Sequence, residues 1–458
     1  MTHPTKDARV SVVGGGLAGI TTALRLADAG VAVTLYEGKP KLGGLTHSFE
    51  RNLDKGRGGD ERIVVDNGQH VFLRCCVHYL ALLERLGVTD RVHLQPRLDV
   101  TVLSEASSRE GRLRRSGMPA PLHLGAALAR YPWLSTLEKA RIVPAALALG
   151  KVDREALATD QRSFGSWLAG HGQSPRAVEA LWDLIGIATI NAPAERASLA
   201  LAATVFQLGL LDRADAADIG WSLVPLQELH GDAALKALAD AGVDVRLSTR
   251  VGSLDELEGD AVVLAVPPAE AQRLLPRDAV RANGRSLAAD WAEQLGSAPI
   301  INLHLIYDRQ VLDGPFVAAV DSPLQWVFDR TEHAGLARTP GAGQYVAVSL
   351  SAAEELVDLP VATLRERFVP HLERLLPRTR GAVIRDFFVT RERQATFRPA
   401  PGSGRYRPET HTTRSGVYLA GAWTATGWPA TMEGAVRSGD VAAEAVLQQV
   451  NGTEGVRA

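Results

Sequence analysis

Val10-Ser11-Val12-Val13 runs straight into Gly14-Gly15-Gly16-Leu17-Ala18-Gly19, after which a helical pattern carries the chain to Gly30 and a second apolar run ends on Glu37. An apolar strand, a glycine turn and a helix in that order make a β-α-β nucleotide-binding unit. The spacing gives each glycine its own role, in which Gly14 makes the tight turn, Gly16 lets backbone approach a pyrophosphate, and Gly19 lets the helix pack close to the strand. The phosphates would rest on the helix N-terminus at Leu17 and Ala18, where unpaired N–H groups and the helix dipole favour an anion. Leu17, Ile20, Leu24 and Ala27 recur at helical spacing, Gly30 suits a C-cap, and Val31, Val33 and Leu35 alternate as the next strand. Glu37 stands 18 residues beyond Gly19, close to the ~20 expected of a carboxylate that accepts hydrogen bonds from a ribose. A bound dinucleotide follows.

The rest of the chain is large enough for two or three domains, with 458 residues of which 46% are apolar and 22% charged. Fifty Lys and Arg against 52 Asp and Glu leave a formal charge of −2, which offers nucleic acid no basic surface. Cys75 and Cys76 are adjacent, a spacing unsuited to a disulfide framework or a metal site, so free thiols in a reducing compartment and no metal are expected. A short polar N-terminus and the lack of any run of ~18 apolar residues point to a cytoplasmic protein.

Gly43-Gly44-Leu45 forms a second glycine loop, Gly56 to Arg62 reads as an exposed hairpin tip, and the strand Ile63-Val64-Val65 runs into Asp66-Asn67-Gly68-Gln69-His70. A helix is predicted from Tyr79 to Leu86 and strand character from Val92 to Leu103, and helical patterns punctuated by prolines dominate from Met118 to about Leu211. Strands at Val243 to Leu247 and Ala261 to Val266 then return to the first sheet. Ile300 to Tyr307, Leu324 to Phe328 and Tyr345 to Leu350 read as a separate sheet under a pocket, with Arg385 to Thr390 as a further edge strand. The expectation is an α/β protein: a Rossmann-type cofactor domain assembled from 1–80, 215–285 and 395–458, and a discontinuous α+β substrate domain from 81–214 and 286–394 with a helical subdomain at about 118–211.

The C-terminal piece decides which dinucleotide. Gly416 to Gly421 is a strand and turn, and Pro429-Ala430-Thr431-Met432-Glu433 opens a helix. A nicotinamide enzyme has no need of such a late strand-glycine-helix module returning to the cofactor. A flavin does, because the helix N-terminus near Thr431 can face the edge of the ring that gains negative charge on reduction.

These motifs resemble the amine-oxidase-like flavoproteins, and within them the hydroxysqualene dehydroxylase branch. The resemblance rests on Val65-Asp66-Asn67-Gly68-Gln69-His70-Val71, Leu181-Trp182-Asp183, Asn191 to Ala197, Pro323 to Arg330, and Trp423 to Thr431. It implies FAD contacts from Gly14, Gly16, Gly19, Glu37, Gly43, Gly44, Leu45 and Gly68, from the Val251 backbone, and from Gly421, Thr431 and Met432. The binding is expected to be noncovalent, since no histidine or cysteine lies between Gly416 and Arg437. The family usually has an acidic residue after Gly421, whereas this chain has Ala422, and Thr424 is the neighbour that could supply the lost hydrogen bond. No lysine follows Lys236, so the lysine that amine oxidases place near flavin N5 has no candidate and amine oxidation is disfavoured.

The implied reaction replaces the allylic hydroxyl of hydroxysqualene by hydride from reduced FAD, which needs an external reductant. The leaving oxygen needs an acid, an effect worth ~10²–10⁴-fold. His70 is the first candidate, with Asp183 and Asp329 as rivals that could equally be structural, and Arg330 among them. Asn67 and Gln69 could orient the hydroxyl or satisfy buried backbone, and Trp326 and Trp428 could face an allylic cation or simply pack. A desaturase running hydride the other way is the alternative. The segment 118–150, where basic residues and Tyr131 and Trp133 flank apolar runs, is either a peripheral attachment to the inner face of the membrane or a pair of core helices.

Overall fold

A computed structural model describes residues 8–53, 62–338, 341 and 343–457. The hairpin tip expected at Gly56 to Arg62 lies outside these residues except for Arg62, which opens the strand Arg62–Asp66 that pairs antiparallel with Ser48–Asn52.

The first sheet has five parallel strands in the order Asp244–Arg246, Ala32–Tyr36, Arg9–Val13, Ala261–Leu264 and Val417–Leu419. The near-continuous apolar runs at Val10–Val13 and Ala261–Leu264 fit strands covered on both faces. Helix Leu17–Asp28 covers one face, with Gly30 at φ +86° just past its end, and the C-terminal helix Met432–Arg457 crosses it closely. A Cβ on Gly439 would lie 2.4 Å from the Ala18 carbonyl oxygen, and Thr22 Oγ1 donates to the Gly439 carbonyl at 3.2 Å. Glycine at that crossing is what lets the two helices meet.

The second sheet has seven strands in the order Ile384–Phe397, Ser297–Tyr307, Gln344–Leu350, Trp326–Asp329, Phe316–Val320, Asp99–Ser104 and Ser107–Arg114. Side chains alternate across it. Ile301, Leu303, Leu305, Val327, Val346 and Val348 pack under helix Val361–Leu375 against Leu364, Phe368 and Leu372. The alternate positions, among them Asn302, His304, Tyr345, Phe316, Trp326 and Phe328, share the opposite face. The expected edge strand is longer than Arg385 to Thr390 because its partner Ser297–Tyr307 keeps offering hydrogen bonds along its whole length. The predicted strand at Val92 to Leu103 divides into Val92–Leu94 and Asp99–Ser104, which join different sheets on either side of the Gln95-Pro96-Arg97 turn.

Between 118 and 211 the chain is helical, with Tyr131, Trp133, Phe164, Trp167, Trp182 and Phe206 in one core. No helix among the described residues is long and apolar enough to cross a membrane.

Candidate active site

The glycine positions fit a dinucleotide on steric grounds alone. Gly14 has φ +109°, and a Cβ there would meet the Ala265 carbonyl oxygen at 2.3 Å; a Cβ on Gly19 would meet the Gly14 carbonyl oxygen at 1.9 Å. Gly16 caps the helix with no side chain to take up its first N–H groups, so those at Leu17 and Ala18 remain available to an anion. The second glycine loop lies against the first: Gly43 N donates to the Gly15 carbonyl at 2.8 Å, and a Cβ on Gly44 would lie 2.9 Å from Gly16 Cα. Leu45 leads off this loop into solvent. Glu37 is held by Gly15 N at 2.7 Å and Lys39 N at 2.8 Å, one to each carboxylate oxygen, which fixes it at the end of its strand. Val251 is buried, its carbonyl accepting from Arg273 Nη2 at 3.0 Å.

At the C-terminal module Gly421 donates its N–H to Ser438 Oγ at 2.7 Å, and Thr431 Oγ1 accepts from Gly434 N at 3.1 Å to cap the helix that Met432 opens. Thr424 is no substitute for the side chain lost at Ala422. Its hydroxyl is buried and already donates to the Gly421 carbonyl at 2.9 Å. Glu433, buried in the first turn, accepts from Tyr79 N at 2.8 Å and from Arg437 Nε at 2.7 Å, tying this helix to the start of helix Val77–Leu86.

The loop after Asp66 meets the polar end of the second sheet. Asp66 accepts from Ser48 Oγ at 2.6 Å and Leu226 N at 3.0 Å, and pairs with His333 Nε2 at 2.5 Å. Burial pushes its carboxyl up, but these bonds together hold it below its ordinary value. The Asn67 carbonyl accepts from Asn302 Nδ2 at 3.3 Å and Thr390 Oγ1 at 3.1 Å, and His304 bridges Tyr345 OH at 2.7 Å and Thr390 Oγ1 at 3.0 Å. Burial drops His304 to about 3, so it stays neutral. Asn67 Oδ1, Gln69 Nε2 and Asn302 Oδ1 are buried with no hydrogen-bond partner, while Gln69 Oε1 accepts from Arg330 Nε. Such orphaned atoms are what a ligand-binding face leaves open.

His70 lies 3.1 Å through Nδ1 from the Gly68 carbonyl, close to where a Gly68 Cβ would be. A carbonyl can only accept, so Nδ1 carries the hydrogen and Nε2 of the neutral ring is an acceptor. Burial lowers its pKa, and Arg330 adds to that against the opposing pull of the Gly68 carbonyl and Asp66. The neutral His70 ring therefore presents a hydrogen-bond acceptor at Nε2 and no acidic proton.

From this polar end the face becomes aromatic. Phe328 and Trp326 stand 6.3 Å apart, Trp326 and Phe316 5.9 Å, and Phe316 and Trp221 5.5 Å between ring centres. Trp326 also borders a cavity of about 120 Å³ with Asp183, Leu184 and Ile187. Asp183 accepts from Ala194 N at 2.8 Å, and burial pushes its carboxyl up to about 6, close to neutrality. Asp329 accepts from Thr331 N at 2.9 Å, Thr331 Oγ1 at 2.5 Å and Gln344 Nε2 at 2.7 Å and so fastens a turn within its own sheet. Trp428 lines a different cavity of about 490 Å³ under the Arg437 guanidinium, 4.7 Å from its ring, so the two tryptophans do not flank one space. Asn302, His304, Thr390, Phe316, Phe328 and Trp221 escaped the sequence reading. The signal was present for two of them, because Asn302 and His304 are polar residues two apart inside an apolar strand.

A glycine cradle for a dinucleotide, a second capped helix end and a face graded from polar to aromatic define an FAD-dependent oxidoreductase. The chain belongs to the flavin containing amine oxidoreductases, whose family model matches residues 17–447. It is 28% identical to the hydroxysqualene dehydroxylase of Rhodopseudomonas palustris, over 96% of this chain and 98% of that one, and 25% identical to that of Sinorhizobium fredii, over 96% and 99%. A probable zeta-carotene desaturase of Synechococcus elongatus is 25% identical over 96% of this chain and 98% of its own. Among solved structures, a putrescine oxidase triple mutant superposes with TM-score 0.68 at 19% identity, over 96% of this chain and 99% of that one. FAD is the cofactor, and the glycine cradle and capped helix end are the residues that fit it.

Proposed function

We propose that the protein removes the allylic hydroxyl of hydroxysqualene to give squalene, the reaction for which its dehydroxylase relatives are named. The observation that carries this reading is the sheet face itself: Asn302 and His304 stand on Ser297–Tyr307, next to the edge strand, with no lysine, and Phe328, Trp326 and Phe316 continue the face as a greasy aromatic wall. The lysine expected of an amine oxidase has no counterpart there, whereas an isoprenoid alcohol meets polar groups at one end and rings along its chain.

Held by the glycine loops at Gly14 to Gly19 and Gly43-Gly44 and reduced by an external donor, FAD would supply the hydride chemistry that replaces the hydroxyl. The protein's own groups do the rest. His70 Nε2 accepts from the hydroxyl and orients it, and Asn67 and Gln69 offer further contacts. Rings beside the carbon that becomes positive stabilise it by ~0.5–2 kcal/mol each where well placed. Asp183, whose carboxyl burial pushes up to about 6, is the carboxylic acid best suited to supply the proton with which the leaving oxygen departs as water. Asp329 remains a turn fastener in this scheme.

The substrate is nearly insoluble, and Met118, Leu122, Leu137, Val143 and Leu147 form an exposed apolar surface beside Arg130 and Arg141. This surface is proposed to rest on the inner face of the membrane and collect the C30 chain. Tyr131 and Trp133 take no part in it, because both are buried in the helical core.

The similarity to carotenoid desaturases favours a second reading, in which hydride leaves a polyene substrate for oxidised FAD. Anaerobic incubation of the holoenzyme with a reducing system and hydroxysqualene, squalene or phytoene separates the two. Squalene formed from hydroxysqualene only with reduced flavin supports dehydroxylation, and new double bonds formed with oxidised flavin sink it.

A further inference from the structure

Arg330 is a buried cation with no direct ion pair among the described residues. It is 6% exposed, and among the described residues its guanidinium makes one hydrogen bond, from Nε to Gln69 Oε1, and no ion pair. The two carboxylates whose charge reaches it make their hydrogen bonds elsewhere, Asp66 with Ser48, Leu226 and His333, and Asp329 with Thr331 and Gln344. A buried guanidinium without a direct ion-pair partner is costly, carboxylates acting from a distance offset only part of that cost, and the rest is left for something else to offset. Its surroundings say what that is. The guanidinium carbon stands 5.1 Å from the Phe328 ring, at the point where the polar end of the sheet face gives way to the aromatic wall, and Gln69 Nε2, on the residue it grips, is a second buried donor with no partner.

We infer that Arg330, gripped by Gln69, binds the oxygen of the substrate hydroxyl and carries the negative charge that builds on it as the C–O bond breaks. This rests on the dehydroxylation reading above and adds to it the group that handles the leaving oxygen. The C–O bond breaks with both electrons going to oxygen, the oxygen takes a proton and leaves as water, and the carbon receives hydride. Alcohol plus dihydroflavin gives hydrocarbon, water and oxidised flavin, so no further co-reactant is required. A guanidinium suits this role because it stays charged and aims a fork of N–H donors at oxygen, the arrangement that stabilises charge appearing in a transition state. The oxygen lies between this cation and the positive carbon, and Phe328, Trp326 and Phe316 take the carbon side. Gln69 is a positioning residue, since it holds Nε and leaves the Nη donors without a hydrogen-bond partner among the described residues.

The test reads binding as well as turnover. Oxidised holoenzyme in detergent micelles is titrated with hydroxysqualene and with squalene, following the flavin spectrum, and the flavin midpoint potential is measured alongside. Wild type is expected to prefer the alcohol by about tenfold or more, as a charge-assisted hydrogen bond supplies. Arg330→Met should bring that ratio to near one, with squalene affinity and flavin potential unchanged. Should that variant fail to load FAD, Arg330→Lys, which keeps charge but loses the fork, carries the same test with a reduced ratio expected. A ratio that survives in the variants, or a shifted potential with the ratio intact, overturns the inference. Failure of wild type to convert hydroxysqualene would instead strike the parent reading, so the two failures are distinguishable.

Discussion

The carboxylate of Asp66 meets Nε2 of His333 at 2.5 Å with both side chains buried, and the same carboxylate accepts from Ser48 and from the backbone of Leu226. One residue thus ties the paired strands Ser48–Asn52 and Arg62–Asp66 to two distant segments, and the loop that presents Asn67, Gln69 and His70 starts from it. Asp66→Asn removes one half of a buried pair and should cost ~3–5 kcal/mol in chemical denaturation. The folded pKa of Asp66 is lowered. Its contribution is therefore present above the ordinary carboxylate value of ~3.9 and is lost as pH falls through the depressed folded value. Acid unfolding should be shallower for the asparagine variant, and an unchanged acid limb would show that the pair carries little.

Much of the cofactor site could be read from the chain because its determinants are local. Gly14, Gly16 and Gly19 declare a turn and a helix start within ten residues, and Thr431-Met432 declares another. The polar-to-aromatic face of the second sheet was hidden because it is assembled across strands. Phe316, Trp326 and Phe328 come together only once Phe316–Val320 pairs with Trp326–Asp329, a register no single run reveals. The same blindness made Asp329 and Trp133 look functional, since a polar residue near a strand end and an interfacial-looking aromatic give no sign of the partners that occupy them.

Asp183 should betray itself in pH profiles. Its folded pKa of about 6 lies above the unfolded value of ~3.9, so the ionised carboxylate is the disfavoured form in the folded protein and stability falls as pH rises between those values. Asp183→Asn keeps an acceptor for Ala194 N and should be more stable than wild type at pH 7–8 by about 1–3 kcal/mol. If Asp183 is also the proton donor, the fall in wild-type turnover above pH about 6 disappears in the variant, at a lower overall rate.

FAD should come away from the protein intact. Acid precipitation is expected to leave the yellow colour in solution, and colour retained in the pellet would mean a covalent link. Gly44→Val should abolish the colour while leaving the far-ultraviolet circular dichroism unchanged, because its Cβ would press to 2.9 Å from Gly16 Cα and close the space between the two glycine loops. Normal flavin absorbance in that variant would place the cofactor elsewhere.

Membrane attachment can be separated from folding by choosing side chains according to their burial. Leu122 and Leu137 are 61% and 60% exposed, and Val143 and Leu147 are each 51% exposed, whereas Trp133 is only 8% exposed. Leu137, Val143 and Leu147 lie on the solvent side of helix Thr136–Leu149, whose other side sends Ile142, Ala145 and Leu149 into the core. Each exposed aliphatic side chain that enters the lipid boundary gains roughly 1 kcal/mol. Replacing all four by serine should therefore weaken liposome binding by roughly a hundredfold or more, with thermal stability and FAD content kept. Trp133→Ser should instead destabilise the fold by ~3–5 kcal/mol without any specific effect on lipid binding by the protein that remains folded. Liposome binding that survives the fourfold change would put the attachment elsewhere on the surface.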